Sequence, residues 1–121
     1  MLLFKPEHVS PILSGRKTQT RRIWIHGPRC LVGSVHQARL RMLDKSSTFA
    51  LLRIKRVWRV RDLRETTQAE AWAEGYDSVA AYLDVFRTIN KWSGPLPTER
   101  DADVWPIWAV EFEVMLHGKA S

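Results

Sequence analysis

Eight consecutive residues, Gly15-Arg16-Lys17-Thr18-Gln19-Thr20-Arg21-Arg22, place four cations and two hydroxyl groups directly after a turn glycine. Ammonium and guanidinium groups attract phosphate or a developing negative charge, and a threonine beside a base can serve as a nucleophile. The segment therefore suits an oxyanion. At the two-residue period of a strand, Thr18, Thr20 and Arg22 share one face while Gln19 and Arg21 take the other. Lys17, at the exit from the turn, can bend toward either face. Its ammonium, the Thr20 hydroxyl and the Arg22 guanidinium are thus able to converge on one ligand. Spacing alone also fits a plainer arrangement, in which Gly15 caps a helix and the charges form a solvated edge.

The elements that would hold these groups can be read from patterning. Leu2 to Phe4 predicts a short strand, and Pro6 suits the first turn of a helix whose face is Val9, Ile12 and Leu13. Gly15 stops that helix, and Pro11 keeps it short or irregular. The motif strand runs from Thr18 to Ile25, followed by a loop through Gly27-Pro28. Ser34 to Leu43 alternates, with Val35, Gln37, Arg39 and Arg41 forming an outer, partly basic stripe. Phe49 to Val60 reads as a strand whose alternation slips near Lys55-Arg56, the mark of a bulge. Bulged, bent strands suit a small closed sheet better than an open one.

The second half reads as helices and one closing strand. Thr67 and Glu70 form a capping box for a helix that reaches Glu74 and ends at Gly75. Asp77 or Ser78 caps the next helix, in which Val79, Tyr82, Leu83, Phe86 and Ile89 form a buried stripe, continued by Trp92 up to Gly94-Pro95. Ser93 to Asp103 reads as a surface loop able to act as a mobile lid. Trp108, Val110, Phe112, Val114 and Leu116 alternate in the last strand, and 117–121 is a polar tail. The expected architecture is one α+β domain over 1–121.

Composition narrows the function classes. The 45% hydrophobic and 26% charged residues are those of a folded globular chain, and no apolar run approaches the roughly 18–20 residues of a membrane span. No membrane association is expected. The N-terminus lacks a secretory layout, so a cytoplasmic protein is the simplest expectation. Cys30 is alone, and the four histidines show no ligand spacing, so neither a metal nor a cofactor is implied. Residues 1–64 carry fifteen Lys and Arg against three Asp and Glu, whereas 65–121 carry four against ten. The halves are therefore about +12 and −6, and a polyanion would be drawn to the first. Arg53, Arg56, Arg59, Arg61 and Arg64, with Arg39 and Arg41, could form a track for a phosphate backbone or merely a solvated face. Trp24 and Trp58, set among arginines, are candidates for stacking on an unpaired base; Trp72, Trp92, Trp105 and Trp108 read as packing.

The octet fills every fixed position of the pattern Gly-x-Lys-Thr-x-Thr-x-Arg, with Gly15, Lys17, Thr18, Thr20 and Arg22. On this basis the chain resembles the ASCH domains of the PUA-like group. The apolar start Leu2-Leu3-Phe4, the Ala73 to Tyr76 segment and the closing Trp108-Ala-Val-Glu-Phe strand agree, so the resemblance covers nearly the whole chain. It implies a small PUA-like mixed β-barrel with flanking helices, and an RNA or nucleoside ligand in a cleft floored by the octet. Some members remove an acyl group from acetylated cytidine and others are assigned RNA cleavage. The same resemblance points to Glu74 as a carboxylate facing Lys17 and Thr20.

Three functions follow as expectations. The first is RNA or nucleoside binding through Gly15, Arg16, Thr18, Arg21, Arg22, Trp24, Arg39, Arg41, Arg53 and Trp58. The second is amide hydrolysis of an N4-acylated cytidine by Thr20, Lys17 and Glu74, or ribonuclease action in which His26 could take part as a base. The third is a non-catalytic module that docks a protein through the acidic second half. The oligomeric state is left open.

Overall fold

The computed structural model describes residues 1–102 and 104–115. Its spine is a thirteen-residue strand, Thr48–Val60 (β4), rich in the branched and aromatic side chains that suit a pleated surface. β4 pairs antiparallel with Val35–Arg39 (β3) on one side and with Ile107–Val114 (β5) on the other. Leu2–Leu3 (β1) adds parallel to β3, and Gln19–Ile23 (β2) adds antiparallel to β5, giving the order β1-β3-β4-β5-β2. Ile54 faces Phe112 but Arg56 faces Glu111, so Lys55 is the extra residue of a bulge. That is where the sequence alternation slips. A second irregularity lies between Ala38 and Arg39. The extra residue increases local twist and bend, and the sheet forms a half-barrel whose end strands, β1 and β2, are not neighbours in the ladder. This is the α+β, PUA-like architecture expected, with one seam left open.

Register sorts the apolar residues onto two faces. Ile54, Val57, Val110 and Phe112 point inward with Leu52, and meet Phe4, Ile12, Trp24 and Cys30. Val60 and Ile107 point outward and meet Leu63, Ala71, Tyr82, Phe86 and Leu96. Each large side chain fully buried in these layers is worth about 1.5–3 kcal/mol. The sheet is thus covered on both sides at the end that carries the β2–β5 pair.

Three helices complete the fold. Pro6–His8 forms a 3₁₀ turn that leads into Val9–Leu13 (α1), and Gly15 at φ +84° ends the segment in the left-handed region. Leu13, expected on the buried face, is exposed: a five-residue helix is too short to sustain a stripe. Gln68–Ala73 (α2) carries both halves of the Thr67/Glu70 capping box and closes on Glu74 and Gly75. Val79–Ile89 (α3) is capped by Ser78, whose Oγ accepts from the Ala81 N–H. It stops at Asn90, and Lys91 at φ +52° turns the chain so that Trp92 packs on the outer core without extending the helix. Between 93 and 102, Leu96 is buried and Thr98 with Asp101 caps a short 3₁₀ turn. This segment lies on the outer core. Leu116 and the 117–121 tail fall outside the described residues, as does Asp103. Among the described residues no helix is long and apolar enough to cross a membrane.

Candidate functional site

The turn between α1 and β2 is pinned from two directions. The Lys17 N–H donates to Pro11 O, and the Thr18 N–H donates to Ala73 O at the end of α2. These bonds carry the Lys17 side chain across Gly75, where a Cβ would lie 3.5 Å from Lys17 Cδ. The glycine gives the lysine a flat bed. Lys17 Nζ then donates to the Glu74 carbonyl at 2.5 Å and stands 3.9 Å from Glu74 Oε1, while Gln19 Nε2 donates to Oε2 at 2.9 Å. Both partners are about 3% exposed. Burial disfavours either charge: it brings the Lys17 ammonium down to about 8, against the upward pull of Glu74, and it raises the Glu74 carboxyl above its ordinary range.

The even residues of β2 point to the inner face, as the strand period requires. Arg22 Nε donates to Thr20 Oγ1 at 3.0 Å and Nη2 donates to Leu3 O at 2.7 Å, with the guanidinium 4.9 Å from the Phe4 ring. One side chain therefore spans the open seam from β2 to β1. Burial holds the Arg22 guanidinium below its ordinary value. Arg21 points to the outer face, where Nη1 donates to Thr66 Oγ1 at 2.8 Å and Nη2 meets Glu70 at 3.1 Å.

A cavity of about 460 Å³ occupies the seam and wraps the free edge of β2, so it touches residues of both faces. Its polar wall is Lys17, Thr20, Arg22 and Glu74. Val85, Phe86 and Ile89 of α3, with Ile23 and Trp24, supply apolar lining. The volume falls within the roughly 300–1,000 Å³ of small-molecule sites, and the mixture of apolar walls with a few convergent polar groups is theirs too. His8 and Tyr76 also border it, joined through Nε2 and the hydroxyl at 3.2 Å. Burial, then the nearby Lys17, lowers His8 to about 4, so its ring is neutral at physiological pH. The sequence reading missed His8, which lies outside the octet and 68 positions from Tyr76. The one available signal was Tyr76 in the Ala73–Tyr76 segment.

The remaining predicted residues lie elsewhere. Arg16 stacks 3.9 Å from the Trp72 ring and pairs with Asp77 at 2.7 Å, outside the cavity wall. Trp72 is half exposed under that guanidinium and is not packing material. Gly15 and Thr18 shape the turn. Trp24 is buried in the inner core with one side on the cavity. Arg39 is held by Gln37 and the Met42 carbonyl, and Arg41 pairs with Asp44 at 2.7 Å. Arg56 pairs with Glu111 at 2.6 Å and stacks on half-buried Trp58; Arg59 donates to Ala102 O, and Arg64 pairs with Asp62. None of Arg39, Arg41, Arg56, Trp58, Arg59 and Arg64 borders the cavity. Among the described residues, Arg53 and Arg61 alone of the seven supposed track arginines lack a hydrogen-bond or ion-pair partner. The structure therefore assembles Lys17, Thr20, Arg21, Arg22, Trp24 and Glu74 around one cavity and leaves Arg16, Arg39, Arg41, Arg53 and Trp58 apart from it. His26 is exposed and does not border the cavity, and neither does the 93–102 segment expected as a lid.

No family model matches the chain, and no curated protein does. Solved structures match over most of its length. The hypothetical protein PH0355 is 14% identical, with 94% of this chain and 96% of that one covered at a TM-score of 0.64. EF3133 from Enterococcus faecalis V583 is 18% identical over 90% and 67% of the two chains, also at 0.64. An ASCH domain from Lactobacillus crispatus JV V101 is 14% identical over 88% and 69%, at 0.63. At such identities the likeness is one of fold. The chain has the fold of an ASCH domain, in accord with the resemblance of its octet.

Proposed function

We propose that the seam cavity takes a nucleoside, or one unpaired nucleotide of an RNA, and that Lys17, Thr20 and Glu74 hydrolyse an acyl amide carried on its base. One observation carries this reading: buried Lys17, Thr20 and Glu74 and half-buried Arg22, from two distant segments, line one cavity together with the apolar side chains of Ile23, Trp24, Val85, Phe86 and Ile89. A base can lie on the apolar lining while its exocyclic group meets the polar side chains. A lysine at about 8 is neutral often enough near neutrality to act as a base.

The Thr20 hydroxyl, already an acceptor from Arg22, keeps its own proton free for Lys17 Nζ as Oγ1 attacks the acyl carbon. Arg22 supplies positive charge for the oxyanion. When the C–N bond breaks, the Lys17 ammonium returns the proton to the leaving amine, and the acyl group remains on Thr20 as an ester. Water then cleaves the ester, releasing the acid and restoring the hydroxyl. Glu74 anchors Lys17 throughout.

Incubating the protein with N4-acetylcytidine tests both halves of the reading. Release of cytidine and acetate, lost in Thr20→Ala, is the expected result. Binding without turnover removes the hydrolysis, and absence of binding in calorimetry removes the ligand as well. If single-stranded RNA binds with a steep salt dependence while nucleosides do not bind, the arginine-bearing outer sheet is the ligand surface and the cavity reading falls.

A further inference from the structure

Strand β2 stands at the end of the sheet, and the cavity wraps its free edge. Its other edge meets β5 through the even residues: Phe112 donates to Thr18 O at one end of the pair and Trp24 donates to Pro106 O at the other. In an antiparallel ladder the residues between such pairs turn both main-chain groups away from the partner strand. The N–H and C=O of Gln19, Arg21 and Ile23 therefore point off the sheet, and none has a hydrogen-bond partner among the described residues. Of these three residues, Arg21 and Ile23 border the cavity. An unpaired row of this kind is a template for any partner that presents complementary donors and acceptors.

The order of the groups decides what suits them. The Arg21 C=O and the Ile23 N–H flank Arg22, one acceptor and one donor on the same edge, and the Thr20 and Arg22 side chains line the same cavity. A parallel strand would set the N–H and C=O of a single residue against such a pair. A heteroaromatic ring with an amino group beside a ring nitrogen offers the same donor and acceptor in a flat, rigid form. N4-acylated cytosine keeps its N4–H next to the unprotonated N3. An N4–H held on the Arg21 carbonyl would bring the scissile nitrogen to the residue that follows Thr20, whose hydroxyl attacks the acyl carbon.

We infer that the free edge of β2 recognises the base itself: the Arg21 C=O accepts from the exocyclic N–H that carries the acyl group, and the Ile23 N–H donates to the adjacent ring nitrogen. The substrate class is thus an acylated amino group beside a ring nitrogen, and O-acyl esters, which lack the proton, fall outside it. This rests on the nucleoside reading above and deepens it. Arg21 and Ile23 act here through their main chain as specificity determinants, outside the hydrolytic set.

Calorimetry with full-length Thr20→Ala, which prevents turnover, compares N4-acetylcytidine with its 3-deaza analogue, in which N3 becomes C–H. The analogue should bind about tenfold more weakly, because it lacks the acceptor and leaves the Ile23 N–H unpaired. With isotope-labelled nitrogen in both protein and base, NMR should show a scalar coupling between the Ile23 amide and N3, a signal that only a direct hydrogen bond gives. Replacing Ile23 by its α-hydroxy acid puts an ester oxygen in place of the N–H and keeps the side chain. No ladder bond is lost, and the two affinities should come within about threefold of each other. An analogue that binds as tightly as its parent overturns the inference while leaving the nucleoside reading intact, as does absence of the coupling or a preference that survives the ester. Should neither compound bind, the nucleoside reading itself is lost and the inference with it. If the ester variant does not fold, the coupling and the analogue decide, since neither needs it.

Discussion

A double-mutant cycle on Lys17 and Glu74 probes the energetic core of the site. At 3.9 Å and an effective dielectric constant of about 20, the two charges attract by about 4 kcal/mol. Burial outweighs that attraction: even with Glu74 pulling upward, Lys17 falls from 10.5 to about 8, a net penalty on its charge of about 3 kcal/mol at about 1.36 kcal/mol per tenfold step. Glu74→Gln removes the attraction and leaves a buried amine that must either stay charged without a partner or give up its proton, so it should cost about 3–5 kcal/mol. Lys17→Met combined with Glu74→Gln removes both charges and should match or exceed wild type by up to about 4 kcal/mol. Urea unfolding at pH 7 of the four proteins should give a coupling of about 2–4 kcal/mol.

The pH dependence has a definite sign. Between about 8 and 10.5 the unfolded chain still holds the lysine proton that the folded chain has released, so stability rises with pH through that window. Tyr76, held protonated up to about 12, starts to act oppositely from about pH 10, so the rise is best read between 8 and 10. Lys17→Met should flatten it. A coupling below about 0.5 kcal/mol, or a wild-type profile no steeper than that of Lys17→Met, would refute the reasoning that the pair is buried and charged.

Other outcomes follow from the same geometry. Thr20→Ala should lower kcat by at least about a thousandfold with KM within about threefold, and Thr20→Ser should retain a measurable fraction, both read from steady-state kinetics. The kcat/KM for amide hydrolysis should rise with pH and level off above about 8, where Lys17 is neutral, and Glu74→Gln should move that limb to lower pH because the carboxylate's upward pull is gone. Gly75→Ala should destabilise by about 1–2 kcal/mol in urea, mainly because φ is +101° there; the new Cβ would make only ordinary contact with Lys17.

Local rules were legible wherever the deciding physics was local. Alternation in the octet placed Thr20 and Arg22 together because the period of a strand is fixed by its geometry. The slip at Lys55 marked the bulge because one extra residue reverses every later side chain. The capping box of α2 was readable from two residues three apart. Pairings across long separations were not: Arg56 finds Glu111 and His8 finds Tyr76 only once the sheet has brought them together, and nothing in either neighbourhood announces the partner. That is why the arginines of β4 read as a track when most are engaged within the fold. Glu74 was located by resemblance, since a carboxylate at a helix end carries no local signal of burial. Tyr82 read correctly as core, because its place in the helical stripe is set by local spacing.

The half-barrel leaves a rung missing. The Trp24 N–H donates to Pro106 O and the Phe112 N–H donates to Thr18 O, so the even residues carry the β2–β5 ladder and the amides of Gln19, Arg21 and Ile23 turn toward the gap. Arg22 ties that edge to β1, a strand of two residues, through the Leu3 carbonyl. A molecule lodged in the gap would therefore act as a rivet between the two loose borders of the sheet. Solvent-proton replacement at the N-terminal strand, Leu2–Leu3, and at the octet, which starts at Gly15, would slow together although the two are well separated along the chain, and occupancy would be recorded in the scaffold as much as in the site.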